Sequence, residues 1–309
     1  MTSPTSTRRL PKDRPFVIEW ITLGLFVGCM ALWIVGLFVL PGWSMGGAVA
    51  VVALALVLHA SLTHEVLHGH PFPSRLASEA LVVVNPGLFI PYVRFRDTHL
   101  AHHQDANLTD PYDDPESNYL DPEVWARLPQ AMRGVLQVNN TLAGRMLVGP
   151  LVAQVVFMRE DWRAILTSDR QVLKAWVIHV PGVMLVLGLV AAAPLPLWLY
   201  LLACYTALSV LKIRTFLEHQ AHEKARGRTV IVEDRGPLAF LFLNNNFHVV
   251  HHMHPRVPWY RLPALYRANA ARYLACNDGY RYRSYAQVFA AHFWRAKDPV
   301  PHPLWPSDR

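Results

Sequence analysis

The sequence predicts an all-α integral membrane protein with a single domain, and three observations carry this prediction. Of its 309 residues, 52% are hydrophobic and only 17% are charged, whereas soluble proteins carry about 25% charged residues. Several stretches contain no charged residue over the roughly 20 positions that a helix needs to span a bilayer. Sixteen histidines are present, and most of them fall in groups beside those stretches.

Four transmembrane helices are predicted, arranged in two hairpins. Ile21–Leu40 carries no charge and is too long for a signal peptide. A turn at Pro41–Gly42 separates it from a second uncharged run, Trp43–Thr63. Ala175–Leu211 is uncharged over the length of two helices, and Pro194–Pro196 supplies the turn between them. The chain is therefore expected to cross the membrane four times.

The segments outside the spans are expected at the membrane surface or in the cytosol. Ala80–Val93 is apolar but interrupted by prolines, and we interpret it as a re-entrant or interfacial segment. Asn107–Asp121 is acidic and rich in turn residues, which predicts a surface loop. Pro122–Arg170 is predicted to form amphipathic helices on the membrane face. The regions of the single domain are residues 1–16 (a cytosolic tail), 17–255 (the core) and 256–309 (a basic, aromatic cytosolic tail).

The positive charges indicate how the chain is oriented. Cytoplasmic loops carry an excess of Lys and Arg, and the two predicted outer turns carry none. We therefore interpret the net charge of +7 as a topology signal, and we expect no nucleic-acid partner because no basic stripe is present. Both termini and every histidine group are expected in the cytoplasm. The charges on that side are Arg8, Arg9, Lys12, Arg14, Arg75, Arg94, Lys174, Lys212 and Arg214.

The grouped histidines have the spacing of metal ligands. One H-x-x-x-H and two H-x-x-H-H stretches are present, and positions i, i+3 and i+4 share one face of a helix. Each H-x-x-H-H is therefore expected to point three imidazoles into one volume. The three cysteines form no C-x-x-C motif, so imidazole is the main candidate ligand. The candidates are His64, His68, His99, His102, His103, His248, His251 and His252, with His219 or its neighbour His222 as a ninth.

Eight or nine imidazoles are about twice what one zinc ion needs. They suit two metal ions with four or five ligands each, and ligand softness alone leaves iron, copper and zinc open. Additional residues near the stretches could orient the imidazoles or replace one of them. These residues are Glu65, His70, Asp97, Asp105, Glu218, His222, Asn244 and His254. By contrast, we interpret His59 and His179 as packing or hydrogen-bonded residues of the spans, and His292 and His302 as surface residues.

The order of the three stretches, interrupted by paired spans, resembles the histidine boxes of the membrane fatty acid desaturase–hydroxylase superfamily. The resemblance covers roughly His64 to Pro255, and His219 matches an extra ligand that the family places shortly after the last span. It implies a cytosolic di-iron centre that uses O2 and two electrons to modify an unactivated acyl chain of a lipid. Asn244–Asn246 and Pro255 resemble bacterial members, which favours a lipid desaturase in a bacterial inner membrane.

The resemblance leaves the reaction and the electron donor open. Lipid hydroxylases and carotenoid ketolases or hydroxylases share the same boxes, so hydroxylation and ketolation remain alternatives to desaturation. The sequence contains no cytochrome b5-like or flavin domain and no cysteine cluster. The electrons are therefore expected from a separate donor of the ferredoxin, rubredoxin or cytochrome b5 type with its reductase.

Two other kinds of protein could use some of these histidines. His64–His68 is also an H-E-x-x-H motif, in which Glu65 would be the general base of a membrane zinc metalloprotease. That function would leave the two H-x-x-H-H stretches unused. A metal transporter would place its ligands at the middle of the membrane, whereas the histidine groups lie outside the predicted spans. Both are weaker interpretations than a di-iron enzyme.

Overall fold

The structure is a computed structural model, and it describes residues 18–103 and 105–305. The predicted N-terminal tail, residues 1–16, lies outside the described residues. Within them the protein is helical apart from two short strands that pair in parallel, β1 (Ile231–Val232) and β2 (Arg281–Tyr282). The helices are α1 (Trp20–Phe38), α2 (Met45–Leu67), α3 (Arg75–Val82), α4 (Tyr92–His102), α5 (Pro122–Arg127), α6 (Gln130–Asn139), α7 (Leu142–Leu147), α8 (Gly149–Leu166), α9 (Arg170–Ala192), α10 (Leu197–Thr215), α11 (Pro237–Leu241), α12 (His248–Met253), α13 (Leu262–Ala268), α14 (Ala270–Cys276) and α15 (Tyr285–His292).

Four helices of the described chain are long and apolar enough to cross a membrane. They are α1 with the turn that follows it, α2, α9 and α10. Each coincides with a predicted span, and the predicted turn at Pro41–Gly42 is a short 3-10 helix, Leu40–Gly42. The second helix continues beyond its predicted end at Thr63 to Leu67. This extension matters because it makes the first histidine pair a direct continuation of a spanning helix.

Helix α2 lies at the centre of the spanning helices, with α1 and α10 packed along it. Close approach of α1 is allowed by Gly36, where an added Cβ would lie 2.7 Å from the Cγ2 atom of Val52. Trp33 of α1 donates its indole N–H to the Tyr200 hydroxyl of α10 over 3.3 Å. A continuous buried core therefore joins these helices and extends to Phe242, close to the third histidine stretch.

The segment before α4 is irregular, as its prolines predict. Helix α3 ends at Val82, and the chain then has no helix until Tyr92. Buried polar contacts hold this segment: the Asn85 amide donates to the Ile90 carbonyl oxygen over 2.9 Å. In α9, His179 donates from Nε2 to the Leu88 carbonyl oxygen over 2.7 Å. His179 is thus a hydrogen-bonded helix residue, and whether the segment is re-entrant or interfacial stays a prediction.

An ion pair ties α4, which carries the second histidine stretch, to α8. Asp161 is 2% exposed and accepts from both Nε and Nη2 of Arg94, at 3.0 and 2.7 Å. The same carboxylate accepts the indole N–H of Trp176 on α9 over 2.8 Å. One side chain on α8 therefore fixes α4 against both α8 and α9.

Replacing Asp161 with alanine should lower the free energy of unfolding by about 3 kcal/mol. This is the lower end of the range for breaking a buried pair, because 20% of the Arg94 side chain is exposed. Denaturant unfolding of the detergent-solubilised protein measures the change. Glu160→Ala is the matched control, since Glu160 is the preceding residue on α8 and is exposed. Equal effects of the two substitutions would show that Asp161 is not an anchor.

Candidate metal centre

The three histidine stretches lie on three elements whose ends meet. His64 is in the last turn of α2 and His68 is its C-terminal cap. His99 and His102 are in the last turn of α4, and His103 caps that helix. The third stretch starts α12, at His248. The imidazoles of the three stretches therefore project from the ends of these helices.

The position of α12 is set by the asparagines before it and by β1. Asn244 has a φ of 54°, a left-handed conformation that asparagine tolerates better than most residues. The Asn246 amide donates to the Asp234 carbonyl oxygen over 3.1 Å. The backbone N–H of Val249 donates to the Val230 carbonyl oxygen over 3.2 Å. The asparagine run is thus a structural turn that delivers the third stretch to the site.

The structure divides nine imidazoles into two groups, each with donor atoms within 4.8 Å of one another. The five-histidine group contains His64, His68, His99, His103 and His251. The four-histidine group contains His102, His219, His248 and His252. These are the nine residues that the sequence singled out. Of His219 and His222, only His219 lies in one of these groups.

The expectation that each H-x-x-H-H points into one volume is wrong. His99 and His103 face the five-histidine group, while His102 between them faces the other group. In the third stretch the pattern is reversed, with His251 in the five-histidine group. The reason is helix geometry, because each residue is rotated by about 100° around the helix axis. The side chain at i+4 is therefore rotated by about 40° from the one at i, and the side chain at i+3 by about 60° in the opposite direction. Each stretch therefore supplies both groups.

The distances between imidazole nitrogens fit ligands that share an ion. Nε2 of His102 lies 2.9 Å from Nε2 of His219, and Nε2 of His103 lies 3.0 Å from Nε2 of His99. Nitrogens bound at about 2.0–2.1 Å to one metal ion are about 3 Å apart when they subtend a right angle. In addition, the buried Nε2 atoms of His64 and His68 have no hydrogen-bond partner among the described residues. Since buried polar atoms are rarely left in this state, a metal ion fits the five-histidine group on this ground as well as on its nitrogen spacing. The four-histidine group fits a metal ion on its nitrogen spacing.

Side chains outside the groups accept hydrogen bonds from the second ring nitrogen, Nδ1, of three imidazoles. Nδ1 of His99 donates to Glu116 over 2.9 Å, and Nδ1 of His102 donates to Asp114 over 2.7 Å. Nδ1 of His248 donates to the side-chain oxygen of Asn245 over 3.1 Å. A proton held at Nδ1 leaves the Nε2 lone pair directed into the group, which is the arrangement common in metal-binding histidines.

Burial keeps most of these imidazoles neutral. It lowers the pKa of His68 to about 2 and, with neighbouring histidines, lowers the pKa values of His219, His248 and His251 well below 6.5. His102 differs: burial lowers its pKa, but Glu116 and Asp114 outweigh burial and raise it to about 9. The negative charges of Glu116 and Asp114 stabilise positive charge on the imidazole, and they would therefore also favour a metal cation at its Nε2. Neutral imidazole is the form that binds metal.

Of the residues proposed to support the ligands, two carboxylates lie beside the site. Glu65 is buried, lies 4.0 Å from Nδ1 of His64 and accepts the backbone N–H of Trp259 over 3.1 Å. Glu218 acts through Asn245, whose amide donates to it over 3.2 Å. Arg214 pairs with Glu218 at 3.0 Å. Glu218 therefore fixes the amide that holds His248.

The other proposed supporting residues lie outside both groups. Asp97 pairs with Arg96 and its side chain is 43% exposed, so it is not a partner of the histidines. The remaining contacts are of His70 with Glu19, His222 with Asp278, His254 with the ring of Tyr273, and Asn244 with the carbonyl oxygen of Trp259. The side chain of Asp105 lies outside the described residues. None of those described contributes a donor atom to the groups.

Residues 107–121, which we call the acidic loop, are not the fully exposed surface loop that the sequence predicts. Asp114 is 5% exposed and Tyr119 is 6% exposed, and the loop supplies the two carboxylates that hold His99 and His102. The prediction for His302 is also wrong, because it is 8% exposed and lies 3.3 Å from the Thr109 hydroxyl. His292 is half-buried and lies 2.8 Å from the Tyr282 hydroxyl. The C-terminal segment therefore packs onto this loop.

Asp114, Glu116 and Asn245 hold imidazoles of the site but were not predicted from the sequence. A signal for the first two was present, since acidic residues cluster shortly after the second histidine stretch. Turn residues around them hid that signal, because the same composition is typical of exposed loops. Asn245 could not be separated from its neighbours Asn244 and Asn246 by sequence alone.

These observations define a class of protein: a helical membrane protein with two adjacent histidine groups that could each hold a metal ion. The family model described as fatty acid desaturase matches residues 41–285. The chain belongs to the fatty acid desaturase family, a group of di-iron membrane enzymes. Comparison with individually curated proteins gives no match. The matched region contains all nine grouped histidines and ends before the last segment of the described chain.

Proposed function

We propose that this protein is an O2-dependent di-iron oxidoreductase that introduces a double bond into a fatty acyl chain of a lipid. One observation carries the proposal: nine imidazoles are divided into groups of five and four, with donor atoms within 4.8 Å. This division supplies ligands for two ions rather than one. Membership of the desaturase family favours iron among the metals that imidazole suits.

The residues of the chain would prepare the site in three ways. Burial keeps most of the imidazoles neutral, Asp114 and Glu116 hold the rings of His102 and His99 in place, and Asn245 holds His248. Two bound iron ions would supply, with O2, the oxidant that an unactivated C–H bond requires. His64, His99, His102, His248 and His251 are each at most 2% exposed, which limits access of water to that chemistry.

The proposed orientation places the site on the cytoplasmic face of a bacterial inner membrane. Two features support it. The first histidine pair is at the end of α2 and His219 follows closely after the end of α10, so one end of two spanning helices leads into the site. The Lys and Arg residues beside the spans fall on that same predicted side. Two transmembrane hairpins, with both termini in the cytoplasm, are part of this proposal.

The electrons are proposed to come from a separate carrier of the ferredoxin, rubredoxin or cytochrome b5 type. The three cysteines support this, because Cys29 and Cys204 are buried inside the spanning helices and Cys276 lies elsewhere. They offer no iron–sulfur site of their own. The zinc metalloprotease alternative is disfavoured for two reasons. The Glu65 carboxylate, which would be the general base, accepts a hydrogen bond from the backbone N–H of Trp259, and the four-histidine group would have no role.

Purified protein should contain about two iron ions per chain, and cells that express it should accumulate lipids that have lost two hydrogens. Elemental analysis measures the first, and mass spectrometry of total fatty acids measures the second. Expression without O2 is the control, and it should give no new lipid. One zinc and no iron per chain would overturn the proposal. A gain of one oxygen instead of a loss of two hydrogens would identify the enzyme as a hydroxylase.

A further inference from the structure

The segment Lys297–His302, near the end of the described chain, lies outside the family match, which ends at residue 285. We call this segment the C-terminal strap. Its backbone pairs with the acidic loop: the N–H of Leu120 donates to the Val300 carbonyl oxygen over 3.0 Å, and the N–H of His302 donates to the Leu120 carbonyl oxygen over 2.8 Å. The strap therefore holds the far end of the loop that carries Asp114 and Glu116.

The strap also fixes the chain around His219. The ammonium group of Lys297, whose side chain is 11% exposed, donates to the His219 carbonyl oxygen. The Tyr119 hydroxyl of the acidic loop donates to the Asp298 carboxylate and accepts the backbone N–H of Ala221 over 2.8 Å. Tyr119 thus joins the loop, the strap and the segment after α10 in one network.

These contacts converge on two members of the four-histidine group. Asp114, on the loop, holds Nδ1 of His102 over 2.7 Å. His219, held by the strap, presents Nε2 at 2.9 Å from Nε2 of His102. The acidic loop and the chain around His219 are far apart in sequence, and the strap contacts both of them. In the five-histidine group only His99 is linked to the acidic loop, through Glu116.

We propose that the C-terminal strap is a positioning element that sets His102 and His219 at the spacing of two ligands on one ion. The inference rests on the proposed di-iron function and adds that one of the two ions depends on residues outside the family match. Lys297 and Tyr119 are positioning residues, since they act on His219 and on the acidic loop. The five-histidine group, with four ligands not held by the strap, should retain its ion without them.

The test uses the full-length protein with Lys297→Met or Tyr119→Phe, which we call the strap variants because each removes a contact made by the strap. Lys297→Met removes the hydrogen bond to His219 and the ion pair with Asp298, and Tyr119→Phe removes the hydrogen bonds with Asp298 and Ala221. Both substitutions change side-chain volume little. Arg295→Met is the matched control, because Arg295 lies two residues before Lys297 and is exposed. Each protein is stripped of metal, titrated with Co2+ while the visible absorption of bound cobalt is recorded, and dialysed before metal analysis. We expect two ions per chain in the wild type and the control, and one in each strap variant, with affinity at the second site lowered about 10–100-fold.

The outcomes separate this inference from the proposed function. Two ions bound with unchanged affinity in both strap variants would overturn the inference and leave the di-iron proposal intact. Fewer than two ions in the wild type would overturn the di-iron proposal itself, and the inference with it. Thermal unfolding of the same samples identifies general destabilisation. Loss of both ions together with a lowered melting temperature would also overturn the inference, because a positioning role predicts selective loss of one ion.

Discussion

Replacing His219 with alanine should lower turnover about 100-fold or more and remove the ion of the four-histidine group. Loss of a residue that only orients a ligand lowers metal affinity or activity by about 10–100-fold, and loss of the ligand itself should exceed that. The group has only four imidazoles, and His219 lies within 3.2 Å of two of the others, His102 and His248. No carboxylate of the described chain belongs to this group as a replacement.

His222→Ala is the matched control for this substitution. His222 is the same residue type three positions further along, and its Nε2 lies 3.4 Å from the Asp278 carboxylate, away from both groups. The variant should keep two ions per chain and wild-type turnover of a reconstituted lipid substrate. Equal losses in the two variants would show that the segment after α10 is needed for folding rather than for metal binding. Full activity of His219→Ala would remove His219 from the ligand set.

Replacing Asp114 with asparagine should lower metal affinity and turnover by about 10–100-fold. The carboxylate accepts the Nδ1 proton of His102 over 2.7 Å and the backbone N–H of Thr109 over 2.9 Å. Asparagine is nearly isosteric and can still accept one of these bonds, but it carries no charge. Without the negative charge, a cation at Nε2 of His102 is less strongly favoured.

The neighbouring Asp113 provides the control for the loss of charge. Asp113 is exposed, so Asp113→Asn changes the net charge of the loop equally without touching a ligand. Iron content after dialysis against a chelator, together with turnover, compares the two variants. A decrease in both variants would attribute the effect to the general charge of the loop. No decrease in Asp114→Asn would mean that the geometry of the hydrogen bond, and not its charge, is sufficient.

The spans and the nine histidines could be predicted because each is encoded locally. A run without charges, such as Ile21–Leu40, meets the bilayer requirement wherever it occurs, and α1 appears where it was expected. The histidine stretches carry helical spacing within five residues, so the candidate ligands could be named without knowing how distant parts of the chain meet. The desaturase resemblance, drawn from those residues, is confirmed by the match of the family model to residues 41–285.

The supporting residues could not be predicted because they depend on where loops return. Asp97 is closer in sequence to the second stretch than Asp114 is, yet Asp97 points away and pairs with Arg96. The acidic loop that reaches the histidines pairs at Leu120 with the C-terminal strap, a contact between segments far apart in the sequence. Likewise, which member of each H-x-x-H-H faces which group depends on the rotation of α4 and α12, and the motif alone does not specify it.

The division of each H-x-x-H-H between the two groups limits how this part of the chain can change in evolution. Inserting or deleting one residue within a stretch rotates every later imidazole by about 100°, which would exchange ligands between the ions or turn them away from both. His102 and His103 are adjacent in sequence but belong to different groups, so neither group can gain or lose a residue independently. Length variation is expected in the connecting loops instead. A motif that tolerates no shift in length keeps its spacing, and for that reason it can be recognised in a single sequence.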